Sequence, residues 1–192
     1  MKKVSILGFA GSLRKGSYNR AILRAAPEFV PADASLEIYD LEGLPLFNQD
    51  LEGTPTAKVK EFKSKICAAD GILIATPEYN YSIPGVLKNA IDCGSRPYGD
   101  NAFEGKPVAI MGASISVNGT ARAQYHLRQC FVWLNMYPLN QPEVMVPAAQ
   151  EQIDDSGCVT DAKTREKIKE LVEAFVVWIR GVQAMRIGMS GR

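Results

Sequence analysis

A short segment near the start of the chain gathers hydroxyl, amide and guanidinium side chains. Hydroxyls and amides can donate hydrogen bonds to phosphate oxygens, while the planar fork of Arg14 can hold two such oxygens at once. Gly11 and Gly16 let backbone N–H groups approach a ligand closely. Together these groups predict a loop that binds a phosphate. The candidate residues are Ser12, Leu13, Arg14, Gly16, Ser17 and Asn19.

The sequence on either side of this loop supports the same chemistry. Residues 3–8 are short, β-branched and apolar, as in a buried parallel strand, and Ser17 is a natural N-cap for a helix beginning near Tyr18. A strand that runs into a helix directs the free N–H groups of the first turn, and the positive end of the helix dipole, at one point. An anion is the expected occupant. An ordinary strand-to-helix turn is equally consistent with this segment taken alone.

A second candidate segment follows the buried strand predicted at residues 70–76. Pro77 restrains the backbone, and Glu78, Tyr79 and Asn80 place a carboxylate, an aromatic ring and an amide in consecutive positions. This mixture suits the polar edge and the face of a heteroaromatic ring. The alternative is that Glu78 and Asn80 are turn residues and that Tyr79 and Tyr81 cover the core. The phosphate loop predicted nearby favours a mononucleotide site.

Strand patterns alternate with helical patterns along the whole chain. This alternation predicts an α/β fold, a doubly wound five-stranded parallel sheet of order 2-1-3-4-5 with helices on both faces. All 192 residues are expected to form one domain. In this order the ends of strands one and three are neighbours, so the two segments should meet. Strands are predicted at 3–8, 35–40, 70–76, 107–112 and within 136–147, and helices after Ser17, at 55–68, after Ser82, at about 120–134 and at about 162–185.

Capping residues give finer expectations for two of these helices. Ser82 is expected to cap the third helix, with Pro84 in its first turn, and Asp161 is expected to cap the last helix. Both predictions place a short polar side chain next to N–H groups that have no partner within the helix.

Composition excludes several classes of function. The net charge is +1, with 22 basic and 21 acidic residues, so no field attracts nucleic acid or an acidic membrane surface. The apolar runs fall short of the roughly 18 residues that span a bilayer. Four scattered cysteines without a C-x-x-C pair encode neither a zinc site nor an iron–sulfur cluster, and indicate a cytoplasmic protein. No metal site is predicted, and a catalytic role is not expected for the single histidine, His126.

Two long stretches, residues 11–19 and 76–92, together resemble the NADPH-dependent FMN reductase family. The resemblance extends to residues 105–108 and 121–128, so it covers most of residues 3–147. Members of this family include quinone, azo-dye and chromate reductases with a flavodoxin-like fold. The resemblance implies an enzyme of this type with FMN as its cofactor and NADPH or NADH as hydride donor. Electrons would pass to a quinone or a similar small acceptor in a ping-pong reaction.

The resemblance also implies roles for particular residues. The six residues of the first segment would hold the FMN phosphate, the second segment from Pro77 to Asn80 would line the isoalloxazine ring, and Ser114 would contact the flavin from a third loop. No side-chain acid or base is required, so no catalytic residue is named. Family members assemble as homodimers or homotetramers with the flavin near the interface, so Tyr81 and residues 44–52 are expected to help form a neighbour's site.

Some positions differ from the family pattern, and other functions stay open. Ser116 and Thr120 stand where the family commonly has glycine, which predicts a narrower space above the ring, and Cys93 stands where tryptophan is frequent. One alternative is a flavodoxin-like single-electron carrier between protein partners, although such carriers tend to be strongly acidic. An iron–sulfur flavoprotein and a non-enzymatic phosphate-binding domain are the others.

Overall fold

The computed structural model describes residues 2–190 and contains one parallel β-sheet between two layers of helices. Short 3₁₀ segments lie at Ala26–Phe29, Gln49–Leu51 and Ala149–Glu151. The strands are β1 (Val4–Ala10), β2 (Ala34–Tyr39), β3 (Gly71–Ala75), β4 (Pro107–Ala113), β5 (Tyr137–Pro138) and β6 (Val144–Val146). The helices are α1 (Tyr18–Ala25), α2 (Ala57–Ala68), α3 (Gly85–Ser95), α4 (Ala121–Trp133) and α5 (Ala162–Ser190).

The strand order is β2-β1-β3-β4-β5, with all pairs parallel, so the predicted order and the α/β fold are confirmed. The single fifth strand predicted within residues 136–147 is instead divided. β5 pairs with the start of β4 and β6 with its end, at Met111 to Ala113. Pro138 and Pro142 lack a backbone N–H and cannot complete a ladder of hydrogen bonds, which explains the interruption.

Both faces of the sheet are apolar, because successive side chains of the central strands point alternately into two hydrophobic cores. In β1, Ile6 packs on the side of α1 and α5, whereas Leu7 and Phe9 pack on the side of α2, α3 and α4. In β3, Leu73 faces the first core and Ile72 the second. Strands buried on both faces need helices on both sides, which produces the doubly wound arrangement.

The register brings three loops to the same edge of the sheet. Ala10 at the end of β1 is level with Ala75 at the end of β3, and Ala75 is level with Met111 near the end of β4. The chain approaches itself so closely here that a Cβ at Gly112 would lie 2.5 Å from the carbonyl oxygen of Thr76. The loops that follow β1, β3 and β4 therefore start side by side, as the predicted order requires.

The capping predictions have different outcomes. The Ser17 hydroxyl accepts a hydrogen bond from the Arg20 N–H, and the Asp161 carboxylate accepts one from the Thr164 N–H, so both caps are confirmed. The prediction for Ser82 is wrong, because α3 has Pro84 at its N-cap and no side-chain cap.

The last helix, α5, continues to Ser190, beyond the predicted end near residue 185. Across residues 2–190, no helix combines the length and apolar character that crossing a membrane requires. Met1, Gly191 and Arg192, which the single-domain prediction includes, lie outside the described residues.

Candidate functional site

The phosphate loop, residues 11–17, presents two buried serine hydroxyls. Ser12 Oγ accepts a hydrogen bond from the Arg14 N–H, and Ser17 Oγ accepts one from the Arg20 N–H, each at 3.3 Å. Each hydroxyl thus uses a lone pair within the protein, while its own hydrogen has no acceptor among residues 2–190. Both O–H groups are therefore free to donate to an anion.

The backbone of the same loop also offers donors. Ser17 N–H bonds to the Arg14 carbonyl at 3.1 Å, but the N–H groups of Leu13 and Gly16 have no partner within the part of the chain that the structure describes. The exposed Arg14 guanidinium lies 5.8 Å from the Tyr18 ring and pairs with no carboxylate of residues 2–190. Free amides beside a helix N-terminus and an unpaired guanidinium together favour a bound anion.

Asn19 occupies a different place from the one its predicted role suggests. Its side chain is buried, with Nδ2 donating to the Ala113 carbonyl at 2.8 Å and Oδ1 accepting from the Ala113 N–H at 2.9 Å. Only one amide hydrogen is left for another partner. The residue therefore fastens α1 to the end of β4, behind the phosphate loop.

Glu78 also turns away from the predicted ring position. Its carboxylate is only 5% exposed and accepts hydrogen bonds from the N–H groups of Arg122 at 3.0 Å and Ala123 at 3.1 Å. The Arg122 guanidinium donates from Nε at 2.5 Å and from Nη2 to the other carboxylate oxygen. Glu78 thus caps α4, whose N-cap residue Thr120 makes no capping hydrogen bond of its own.

The rest of the second segment forms a tight turn. Tyr79 and Ser82 exchange two backbone hydrogen bonds of 3.0 Å and 2.9 Å, while Asn80 and Tyr81 have φ angles of 50° and 65°. Positive φ at both central positions is characteristic of a type I′ turn. Asparagine tolerates this conformation, but a bulky residue such as tyrosine is strained in it, and such strain is concentrated at functional sites. The preceding Pro77 is buried.

The third loop, residues 114–119, follows β4. Ser114 is half-buried, and its Oγ accepts a hydrogen bond from the Ser116 N–H at 3.2 Å, which leaves the hydroxyl hydrogen free. The expectation that Thr120 narrows the ring site is wrong, since its side chain is fully buried against Gly112 and bonded to Gln124. Ser116 is half-buried and its hydroxyl donates to the Gly119 carbonyl.

Exposed apolar side chains surround this edge of the sheet. Five of them come from the three loops and are between 45% and 87% exposed. We call this set the apolar rim: Leu13, Tyr79, Tyr81, Ile115 and Val117. A cluster of large apolar side chains exposed to solvent indicates a binding surface. The phosphate loop lines a cavity of about 460 Å³ together with α1 and residues 150–157. Two other cavities of about 440 Å³ each lie between residues 45–56 and α2 and between α3 and α4.

The chemistry of the edge is that of binding rather than of acid–base catalysis. Within residues 2–190, no three His, Cys, Asp or Glu side chains are grouped so that they could hold a metal ion. The only histidine, His126, places Nδ1 3.1 Å from Ser82 Oγ. Donors for a phosphate on one loop, and apolar and polar groups for a flat ring on the other two, fit a phosphorylated aromatic cofactor. The fold and this site define a flavodoxin-like protein.

Comparison with known proteins identifies the family within this fold class. The model of the NADPH-dependent FMN reductase family matches residues 4–151. The chain is 52% identical to an NAD(P)H-dependent FMN reductase of Pseudomonas aeruginosa over 179 residues, which cover 92% of this chain and 96% of the relative. It is 41% identical to a 2-hydroxy-1,4-benzoquinone reductase of a Burkholderia species over 170 residues, 88% of this chain and 93% of the relative.

A solved structure agrees with these relatives. FerB, a flavoenzyme NAD(P)H:(acceptor) oxidoreductase from Paracoccus denitrificans, superposes with a TM-score of 0.85 at 35% identity, over 93% of this chain and 98% of FerB. The chain belongs to the NADPH-dependent FMN reductase family, which confirms the resemblance. It is an oxidoreductase that uses FMN with NAD(P)H as the electron donor.

Arg122 is a site residue that sequence reasoning missed. It lies in a segment that carried the resemblance, but its partner Glu78 is 44 positions away. No spacing rule connects an arginine at the start of one helix with a glutamate at the end of a distant strand. A basic residue in the first turn of α4, where the helix dipole disfavours it, was the available signal.

Proposed function

We propose that this protein passes a hydride from NAD(P)H through bound FMN to a quinone or a similar small acceptor, in a ping-pong reaction. The observation that carries the proposal is the meeting of the phosphate loop, the 79–82 turn and the third loop at one sheet edge. When held by these loops, FMN would supply the redox chemistry that links hydride donation by the nicotinamide to reduction of the acceptor. Relatives named as quinone reductases support this function over that of a single-electron carrier.

The phosphate loop would hold the FMN phosphate. Ser12 and Ser17 have free hydroxyl hydrogens, Leu13 and Gly16 have free backbone N–H groups, and Arg14 adds a charged fork. These are donors only, which suits an anion with several acceptor oxygens. Asn19 contributes mainly by fixing α1, since its amide is used by Ala113.

The second segment and Ser114 would line the ring. Because the Glu78 carboxylate is bonded to α4, the contacts from this segment fall to Pro77, to backbone groups, and to the side chains of Tyr79 and Asn80. Ser114 keeps a hydroxyl hydrogen that can be donated. No acid or base is needed beyond the cofactor, so the protein binds, orients and excludes water, and we name no catalytic residue.

We also propose that the chain works as a homodimer or homotetramer in the cytoplasm. The ring site is an open edge, and large apolar side chains are exposed at Tyr81 in the turn and at Leu46 in residues 44–52. A second copy that covers residues 44–52 and Tyr81 would bury such groups. The four cysteines are all free, as is usual for the reducing cytoplasm. Sedimentation velocity and cell fractionation test these two statements.

An anaerobic absorption experiment tests the proposed reaction. The purified protein, reconstituted with FMN, should show flavin bands that bleach with one equivalent of NADPH and return when a quinone is added. Initial rates with both substrates varied should give parallel double-reciprocal lines. A protein that neither carries nor binds FMN would contradict the proposal.

A further inference from the structure

The 79–82 turn is held in a conformation that its own sequence does not favour. Asn80 and Tyr81 both have positive φ, and a tyrosine rarely adopts such angles. The two backbone hydrogen bonds between Tyr79 and Ser82 close the turn but do not remove the steric conflict at Tyr81. Contacts from outside the turn must therefore contribute to its conformation.

Those contacts come from α4, and one residue makes most of them. The Arg122 guanidinium bonds to the Glu78 carboxylate immediately before the turn and lies 3.7 Å from the centre of the Tyr81 ring within it. One planar group thus contacts both the residue before the turn and the strained tyrosine at its centre. His126, one turn further along the helix, lies 3.1 Å from the Ser82 hydroxyl.

The capping of α4 does not by itself require the guanidinium. Glu78 accepts hydrogen bonds from the N–H groups of Arg122 and Ala123, and these remain when the arginine side chain is changed. The guanidinium adds the link to Tyr81, which no capping role explains. Its second function must concern the turn.

We propose that Arg122 is a positioning residue that holds the 79–82 turn, and so the side chains of Tyr79 and Asn80, in the conformation that receives the flavin ring. This inference rests on the proposed function of the turn. A preorganised turn spares the cofactor the cost of ordering it on binding. Without the Arg122 guanidinium, the turn would relax from the strained conformation in the FMN-free protein and FMN would bind more weakly.

The test compares Arg122→Gln, Arg122→Lys and the control Arg128→Gln. Arg128 lies on the same helix, but its guanidinium bonds to the Asn140 side chain and the Leu139 carbonyl, away from the turn. The FMN dissociation constant is measured by quenching of flavin fluorescence, and chymotrypsin cleavage after Tyr79 and Tyr81 is followed in the FMN-free protein. Arg122→Gln should weaken FMN binding by about tenfold or more and accelerate this cleavage. For Arg122→Lys, the FMN dissociation constant and the cleavage rate should lie between those of Arg122→Gln and the unmodified protein, because an ammonium cannot form the planar fork. Arg128→Gln should match the unmodified protein in both.

A second variant separates positioning from general stability. Tyr81→Gly places Asn-Gly at the centre of the turn, the pair that favours type I′ most strongly. In the Tyr81→Gly background, Arg122→Gln should change the FMN dissociation constant little, because the turn no longer depends on contacts from α4 for its conformation. An equal loss in both backgrounds, or unchanged affinity and cleavage in Arg122→Gln alone, would overturn the inference. Failure of the unmodified protein to bind FMN would instead overturn the proposed function, and cleavage rates would still report on the turn.

Discussion

Asn19 makes both of its side-chain hydrogen bonds to a single residue, Ala113, one to its carbonyl and one to its N–H. The two residues are 94 positions apart, so this pair joins the first helix to the end of the fourth strand. The phosphate loop and the third loop are thereby fixed relative to each other. Their geometry depends on an amide that can donate and accept at once.

We expect Asn19→Asp to be strongly destabilising. A carboxylate can accept from the Ala113 N–H but faces the Ala113 carbonyl without a hydrogen to donate, in a buried place. The loss should be about 2–4 kcal/mol in the free energy of unfolding. Urea denaturation measures it, with Asn140→Asp as an exposed control expected within about 0.5 kcal/mol of the unmodified protein. A urea midpoint unchanged by Asn19→Asp would show that the two hydrogen bonds are not important.

Arg14→Ala should weaken FMN binding without affecting the fold. The guanidinium is exposed and pairs with no carboxylate of the described chain, so its removal leaves no buried charge unpaired. The loss of a charge-assisted contact predicts about 1.5–3 kcal/mol in FMN affinity, measured by titration of the FMN-free protein. Arg128→Ala, whose guanidinium bonds to Asn140 and Leu139 away from the phosphate loop, serves as the control. Equal FMN affinities of the two variants would show that Arg14 does not contact the phosphate.

Val117→Ser should impair the reaction with apolar quinones. Val117 is almost fully exposed in a loop that hydrogen bonds hold at both ends, from Ser114 N–H to the Val146 carbonyl and from Gly119 N–H to the Ser116 carbonyl. The lost apolar contact predicts a roughly 3- to 10-fold fall in kcat/KM for a neutral quinone. Ferricyanide, which offers no apolar surface, should be reduced at an unchanged rate.

The matched control for this prediction is Val177→Ser, an exposed valine on α5 outside the three site loops. The FMN dissociation constant should stay unchanged in both variants. An equal fall in kcat/KM for the quinone and for ferricyanide would mean that Val117 affects the flavin rather than binding of the acceptor.

The cap of α5 predicts a pH-dependent stability. The Thr164 N–H bonded to Asp161 lowers the pKa of that carboxyl, so the charged form stabilises the fold. This contribution is present above the unfolded pKa of about 3.9 and is lost as the pH falls through the lower folded value. Asp161→Ala should therefore lower the melting temperature at pH 7, and the two melting temperatures should converge in acid, once the pH lies below the lowered pKa of Asp161. Asp155→Ala, at an exposed loop position, should show no such difference at either pH.

Local pattern was enough to predict most of the fold. Apolar runs such as residues 71–75 and 107–113 can only be strands covered on both faces, and this constraint with the crossover rule leads to the observed order. The division of the fifth strand into β5 and β6 was not predictable, because segments of two and three residues carry almost no periodicity.

The side-chain directions at the site were not predictable in the same way. Asn19 and Glu78 are both polar residues next to a ligand edge, which suggested contact with a ligand. Their hydrogen-bonding groups are used by Ala113 and by α4, partners that only the folded chain brings near. Thr120 stands where the family commonly has glycine, which predicted a side chain above the ring, yet its side chain is buried inside the protein against Gly112.

The division of the far edge of the sheet limits how copies of this chain can associate. β5 and β6 contain two and three residues, and prolines deprive this edge of N–H groups. Such an edge is a poor template for a strand of another molecule, a known protection against uncontrolled aggregation. Growth of the sheet from one subunit into the next is disfavoured on this side, so assembly there must use helices and loops.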